Sequence, residues 1–170
     1  MKNIVLTGMP GAGKSSVGVI LAKTLGMNFI DTDIVLQENT GRRLQEIIDT
    51  EGIDTFLKTE ERVITSLRCI NSVIATGGSV VFSEKSMNFL KNEGIIIYLY
   101  IGYEELVRRV NNITTRGIVL GTGQSLLDLY NQRIPLYEKY ADMTVDCSDT
   151  DVEKIVENVT NKLITINGGF

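Results

Sequence analysis

The sequence predicts an α/β fold, in which helices cover both faces of a five-stranded parallel sheet. Three observations predict it. Short apolar runs alternate with stretches of helical periodicity along the chain. One run, 95–100, is apolar on both alternate faces, as a central parallel strand should be. A glycine-rich turn at 8–15 joins the first apolar run to the first periodic stretch. No repeat or linker divides the 170 residues, so we expect one domain.

The predicted strands are short apolar runs that end at polar or glycine residues. The first leads directly into the glycine-rich turn, the second ends at Asp31, and the third stops at Gly77-Gly78. We place the strands at 3–7, 28–30, 72–76, 95–100 and 143–146.

The predicted helices are segments in which apolar residues recur three or four positions apart. The first stops at Gly26, a residue type that favours helix ends, and Thr40-Gly41 interrupts the second. We place the helices at about 14–25, 34–50, 54–68, 84–92, 104–110, 125–140 and 151–164.

Composition excludes several classes of chemistry. The chain has no histidine, which removes Ser-His-Asp and Cys-His catalysis and histidine-bound metals. Its net charge of −4 is spread along the chain, so we expect no nucleic-acid-binding face and no membrane anchor. Cys69 and Cys147 form no C-x-x-C pair, and no signal peptide or membrane span is evident, so we expect a cytoplasmic protein.

The turn Gly8-Met9-Pro10-Gly11-Ala12-Gly13-Lys14-Ser15 matches the phosphate-binding pattern G-x-x-x-x-G-K-[ST]. Its glycines let consecutive backbone N–H groups point at a phosphate, and the following helix adds its positive N-terminal end. Lys14 can reach the outer phosphates, and the Ser15 hydroxyl can ligate Mg²⁺. Strand, turn and helix is the context that this pattern requires, so we predict a site for a nucleoside triphosphate.

Asp31-Thr32-Asp33 follows the second predicted strand, at the edge of the sheet where ligands bind. Alternate residues of an extended segment point the same way, so both carboxylates can face one site. One can hold a magnesium ion, and the other can orient an acceptor hydroxyl and accept its proton. The alternative is that one of them only caps the following helix.

Residues 111–124 carry three glycines and no apolar periodicity. A loop of this length in a compact chain is usually functional or disordered. We expect a lid that closes over the site and excludes water, with a surface loop of no function as the alternative.

Taken together, these motifs resemble the shikimate kinase family in order and separation. The resemblance covers about residues 3–160 and implies a P-loop NTPase fold of the nucleoside-monophosphate-kinase type, a three-layer sandwich. It implies one kinase domain over 1–170, with an acceptor-binding part at about 31–62 and a lid at about 111–124. The matching residues are 8–16, Asp31-Thr32-Asp33, Thr40-Gly41-Arg42, Phe56, Glu60, Gly77-Gly78, Arg116 and Arg133-Ile134-Pro135-Leu136-Tyr137.

The resemblance also implies a role for each matching residue. Asp33 would be the base, Arg133 would bind the acceptor's carboxylate, and Arg116 would contact the ATP phosphates from the lid. The catalytic residues would be Lys14, Asp33 and Arg116, and Mg²⁺ would be held by Ser15 and Asp31. ATP would be bound by Gly11, Ala12, Gly13, Lys14, Ser15, Ser16, Arg109 and Arg116. The acceptor would be bound by Asp33, Gly77, Gly78, Ser79 and Arg133.

Two positions depart from the family pattern. The family has Phe-Arg-x-x-Glu where this chain has Phe56-Leu57-Lys58-Thr59-Glu60, so the family's second carboxylate-binding arginine is missing. Lys58 lies about 100° further round a helix and is no simple substitute. The family has three glycines where this chain has Gly77-Gly78-Ser79. The added hydroxyl either crowds the acceptor or supplies a new hydrogen bond.

Three functions are consistent with these residues. The first is transfer of the γ-phosphoryl group of ATP to shikimate, giving shikimate 3-phosphate. The second is the same transfer to another hydroxylated metabolite, gluconate-like or nucleotide-like, because Leu57 and Ser79 alter the acceptor half. The third is a non-catalytic nucleotide-binding protein, which the complete set of catalytic residues disfavours. We expect a monomer that uses ATP, Mg²⁺ and a small carboxylate-bearing substrate.

Overall fold

The computed structural model describes residues 2–111, 121, 123–148 and 151–167. In this part of the chain the five predicted strands are confirmed and form a parallel sheet in the order β2-β3-β1-β4-β5. The central strand is completely buried, and Val5 lies opposite Ile74 on one side and Ile96 on the other. The strands are β1 (Asn3–Thr7), β2 (Asn28–Asp31), β3 (Ser72–Ala75), β4 (Gly94–Tyr100) and β5 (Met143–Asp146).

The helices agree with the predicted periodic segments, with bounds that differ by a few residues. The interruption predicted at Thr40-Gly41 is confirmed, because Gly41 ends one helix in the left-handed conformation. The gap predicted between 50 and 54 is a break at one residue, Gly52, whose φ is 83°. The helices are α1 (Lys14–Leu25), α2 (Thr32–Thr40), α3 (Leu44–Ser66), α4 (Glu84–Glu93), α5 (Tyr103–Asn111), α6 (Leu126–Tyr140) and α7 (Val152–Asn167).

A short 3₁₀ helix at Val80–Phe82 was not predicted. Three apolar residues show no helical period, so the sequence carries no signal for it. This helix lies between the end of β3 and α4, and it packs against α3 and α6. It therefore connects the centre of the sheet to the helices that form the candidate site.

Two apolar clusters hold the fold together. The larger one surrounds the sheet, and α1 and α7 pack together over it. The smaller one lies between α2 and α3 and is built from Leu36, Ile47, Phe56 and Val63, with Leu57 packed against it. The α2–α3 segment therefore has its own small core. In the described residues, no helix combines the length and apolarity needed to cross a membrane.

Candidate active site

The phosphate-binding loop between β1 and α1 has a backbone that only glycine accommodates easily. Gly8, Gly11 and Gly13 all have positive φ angles. A Cβ atom at Gly8 would lie 2.6 Å from the carbonyl oxygen of Leu99 on β4, so the loop passes closely over the sheet. Lys14 folds back over the loop, and its Nζ donates to the carbonyl oxygens of Gly8 at 2.9 Å and Met9 at 3.0 Å. These contacts hold the ammonium group inside the curl of the loop.

Asp31 connects this loop to the next strand. Its Oδ2 accepts a hydrogen bond of 2.7 Å from the Ser15 hydroxyl, and its Oδ1 accepts one of 3.0 Å from the Asp33 backbone N–H. Asp31 therefore caps α2, which is the alternative weighed from the sequence, and it also contacts Ser15 of the phosphate loop.

The oxygens of Ser15 and Asp31 fit a magnesium ion. They lie side by side at the N-terminus of α1, and both are hard ligands of the kind that Mg²⁺ prefers. Within the described residues, no group of three or more acidic, cysteine or histidine side chains could hold a metal ion. Mg²⁺ in kinases is bound by one or two protein oxygens together with phosphates and water, so such a group is not required.

A small pocket lies beside the phosphate loop, below α2 and α3. It measures about 20 Å³ in this conformation, which is room for about one water molecule. The lining residues are Pro10, Asp33, Leu44, Phe56, Gly77, Gly78, Ser79 and Arg133, which include every predicted acceptor-binding residue.

Arg133 enters the pocket from α6 and is only 1% exposed. Its guanidinium carbon lies 5.0 Å from the centre of the Phe82 ring, a cation–π contact. A Cβ atom at Gly78 would lie 2.8 Å from its Nη1 and 3.0 Å from Cδ of Pro10, so only glycine lets both approach. The Tyr137 hydroxyl donates to the Gly78 carbonyl oxygen at 2.6 Å, and burial raises the pKa of Tyr137 to about 12 despite the nearby Arg133.

Gly77 lies between two carboxylates. A Cβ atom there would be 2.6 Å from Oε1 of Glu60 and 2.9 Å from Oδ1 of Asp33. Glu60 is 4% exposed, and the Ser79 hydroxyl lies 3.0 Å and 2.8 Å from its two oxygens. Burial raises the pKa of Glu60 to about 7, and the charge of Asp33 adds to this, while Ser79 and Arg133 oppose it.

Arg109 connects two walls of the nucleotide side of the site. Its Nη1 donates to the carbonyl oxygen of Gly11 at 3.3 Å, and its Nη2 donates to that of Cys147, just after β5, at 2.9 Å. Glu105, one turn earlier on α5, accepts from its Nε at 2.6 Å. The side chain is therefore held beside the phosphate loop, where the sequence predicts ATP contacts.

Most predicted site residues lie around the carboxyl ends of β1, β2 and β3. Ser16 is exposed on the first turn of α1. Arg116 and most of the predicted lid lie outside the described residues. Leu57 packs against the α2–α3 cluster and does not line the pocket.

Sequence reasoning missed the Glu60–Ser79 contact and the role of Tyr137 in holding Gly78. The sequence carried a signal for the helix face on which Tyr137 and Glu60 each lie, but none for the contact between Glu60 and Ser79. Tyr137 lies four residues after Arg133, so both share one face of α6, and Glu60 lies four residues after Phe56 on α3.

Three comparisons describe what this chain is similar to. The family model of shikimate kinase matches residues 10–164. A shikimate kinase of Haemophilus influenzae is 37% identical over 171 residues, covering 98% of this chain and 95% of the relative. One of Caldanaerobacter subterraneus is 38% identical, covering 99% of both chains. The solved shikimate kinase of Acinetobacter baumannii in complex with shikimate has a TM-score of 0.88 and 32% identity, covering 97% of this chain and 94% of that one.

Proposed function

The chain belongs to the shikimate kinase family, and from this premise we propose that it transfers the γ-phosphoryl group of ATP to shikimate, giving shikimate 3-phosphate. It is an ATP-dependent phosphotransferase that acts on a hydroxyl group. The observation that supports this acceptor is that Asp33 and Arg133 line one pocket beside the phosphate loop. Shikimate carries hydroxyl groups and a carboxylate, and this pocket offers a base for the first and a cation for the second.

The residues of the pocket divide the work. Arg133 binds the carboxylate, and because it is almost fully buried this charge-assisted contact is strong. Asp33 orients the hydroxyl and accepts its proton as the oxygen attacks. Transfer is direct and in line, without a covalent enzyme intermediate, so positioning and charge neutralisation supply most of the catalysis.

The nucleotide side neutralises phosphate charge. The loop backbone from Gly11 to Ser16 binds the phosphates, and Lys14 leaves its carbonyl partners to meet them. Ser15 and Asp31 would hold Mg²⁺, which would offset the negative charge of the phosphates. Arg109 lies against the nucleotide base.

Three further parts of the proposal rest on the sequence. Arg116 contacts the phosphates from the lid at 111–124. The acceptor-binding part extends over about 31–62, which includes Leu36, Ile47 and Phe56 of the α2–α3 core. The protein works as a monomer in the cytoplasm.

The deciding experiment measures ADP release by the purified chain with ATP and Mg²⁺, with and without shikimate. Stimulation that saturates with shikimate, together with a phosphorylated product identified by mass spectrometry, supports the proposal. ATP binding without stimulation contradicts shikimate as the acceptor. In that case gluconate and nucleoside monophosphates are the next acceptors to assay, since they represent the alternative substrate classes.

A further inference from the structure

Ser79 and Glu60 form a buried polar pair that joins the lining of the acceptor pocket to α3 behind it. Ser79 follows β3 and lines the pocket, whereas Glu60 belongs to α3 and lies behind it. Both oxygens of Glu60 are within 3.0 Å of the one serine hydroxyl. Both residues are buried, at 5% and 4% exposure. A serine hydroxyl has one proton to donate. While Glu60 is ionised, Ser79 donates this proton to Glu60 and has none for another acceptor.

The charges around Glu60 are unbalanced. Asp33 faces it from the start of α2, and Arg133 and Tyr137 face it from α6. Lys85 of α4 lies 3.6 Å from the neighbouring Glu61 and is 71% exposed, so it faces that carboxylate instead. Among the described residues that face Glu60, an ionised Glu60 and Asp33 against Arg133 give a sum of −1, and an acceptor carboxylate makes it −2. In a buried site this repulsion is weakly screened.

Resting on the proposed function, we propose that the Ser79–Glu60 pair takes up a proton when the acceptor's carboxylate binds, and that Ser79 then donates its hydrogen bond to this carboxylate. The proton comes from solvent and adds to a Glu60 oxygen. The resulting Glu60 carboxylic acid donates to Ser79 Oγ, which turns the serine proton toward the pocket. No covalent bond between heavy atoms forms or breaks.

In this rearrangement the neutral Ser79 hydroxyl, supported by the protonated Glu60, binds the acceptor's carboxylate in place of a second arginine. Arg133 and Ser79 line the same pocket, and Arg133 Nη1 lies 2.8 Å from the position of a Cβ atom at Gly78, the residue before Ser79. An acceptor carboxylate on Arg133 therefore lies in the pocket that Ser79 also lines. Glu60 is thus a positioning residue, and Ser79 is an acceptor-contacting residue that determines specificity for carboxylates.

The proposal predicts a dependence of acceptor affinity on pH. Because the pKa of Glu60 is about 7 before binding, the competent protonated form becomes scarce above neutrality. The Kd for shikimate should rise about tenfold between pH 6 and pH 8. Binding should take up about 0.9 proton at pH 8 and about 0.1 proton at pH 6.

The test is calorimetric titration of shikimate into the whole chain, in buffers of different ionisation enthalpy at both pH values. Kd is measured in place of kcat because kcat also depends on the chemical step. Glu60→Gln should bind without proton uptake and with a Kd that does not change from pH 6 to pH 8. Ser79→Ala should bind roughly tenfold more weakly at pH 6. Glu61→Gln, the same change at the exposed neighbouring position, should keep the wild-type pH dependence.

The outcomes separate the two proposals. Shikimate turnover with a constant Kd and no proton uptake in the wild-type chain overturns this inference alone. If shikimate is neither bound nor phosphorylated, both the proposed function and this inference are overturned. The Kd and the proton uptake of the wild-type chain test the inference without any variant, so they still decide it if a variant fails to fold.

Discussion

Replacing Glu60 with glutamine should remove a pH-dependent loss of stability. Glutamine has nearly the same shape but cannot ionise. In the wild-type chain, burial raises the pKa of Glu60 from 4.5 to about 7. Between these two values the folded state holds a proton that the unfolded chain has released, so the free energy of unfolding falls as pH rises through this window. Above it, the folded chain contains a buried charge.

The magnitude follows from this shift. One pKa unit corresponds to about 1.4 kcal/mol, so from pH 5 to pH 8.5 the wild-type chain should lose about 2.5 kcal/mol relative to Glu60→Gln. Urea denaturation followed by far-UV circular dichroism at both pH values measures it, since the chain has no tryptophan. Glu61→Gln is the matched control, because the hydrogen bond from Ser83 lowers the pKa of that exposed carboxyl. If the free energies of unfolding of the wild-type chain and Glu60→Gln differ by the same amount at pH 5 and at pH 8.5, the reasoning is refuted.

Three substitutions test other parts of the site. Asp33→Asn should reduce shikimate phosphorylation by about 10²–10⁴-fold while ATP binding persists, and wild-type kcat would show that Asp33 is not the base. Gly78→Ala places a Cβ atom 2.8 Å from Arg133 Nη1, so the KM for shikimate should rise more than the KM for ATP. Equal rises in the KM values for shikimate and ATP would show that the clash disturbs the whole site. Leu57→Arg should lower the KM for shikimate, because it restores the family's arginine, and an unchanged or higher KM would count against that role.

The fold could be predicted from the sequence because local patterns determine it. Each buried strand is a run of apolar residues, and the break at Gly41 follows from a residue type that adopts the left-handed conformation. The phosphate loop was predictable for the same reason, since its function depends on residues that are adjacent in the chain. The 3₁₀ helix at Val80–Phe82 was not predictable, because three residues are too few to show a period.

The acceptor pocket was predictable only in part. Asp33, Gly77 and Arg133 could be named because they match a pattern, and the structure brings them together. The contact between Ser79 and Glu60 joins residues 19 positions apart on different elements, and no local pattern encodes it. The sequence shows Ser79 only as a departure from the family, whereas the packing of α3 against the 3₁₀ helix that begins after Ser79 shows that its hydroxyl meets Glu60.

Of the two departures from the family pattern, Ser79 is the one that contacts Glu60. Leu57 packs into the α2–α3 cluster and brings no charge to the helix turn that carries Glu60. Ser79 supplies a neutral hydrogen bond to both oxygens of that carboxylate. Burial outweighs the lowering effects of Ser79 and Arg133, so the pKa of Glu60 rises to about 7. Ser79 therefore acts on the acceptor pocket through Glu60, whereas Leu57 packs into the α2–α3 cluster and does not line the pocket.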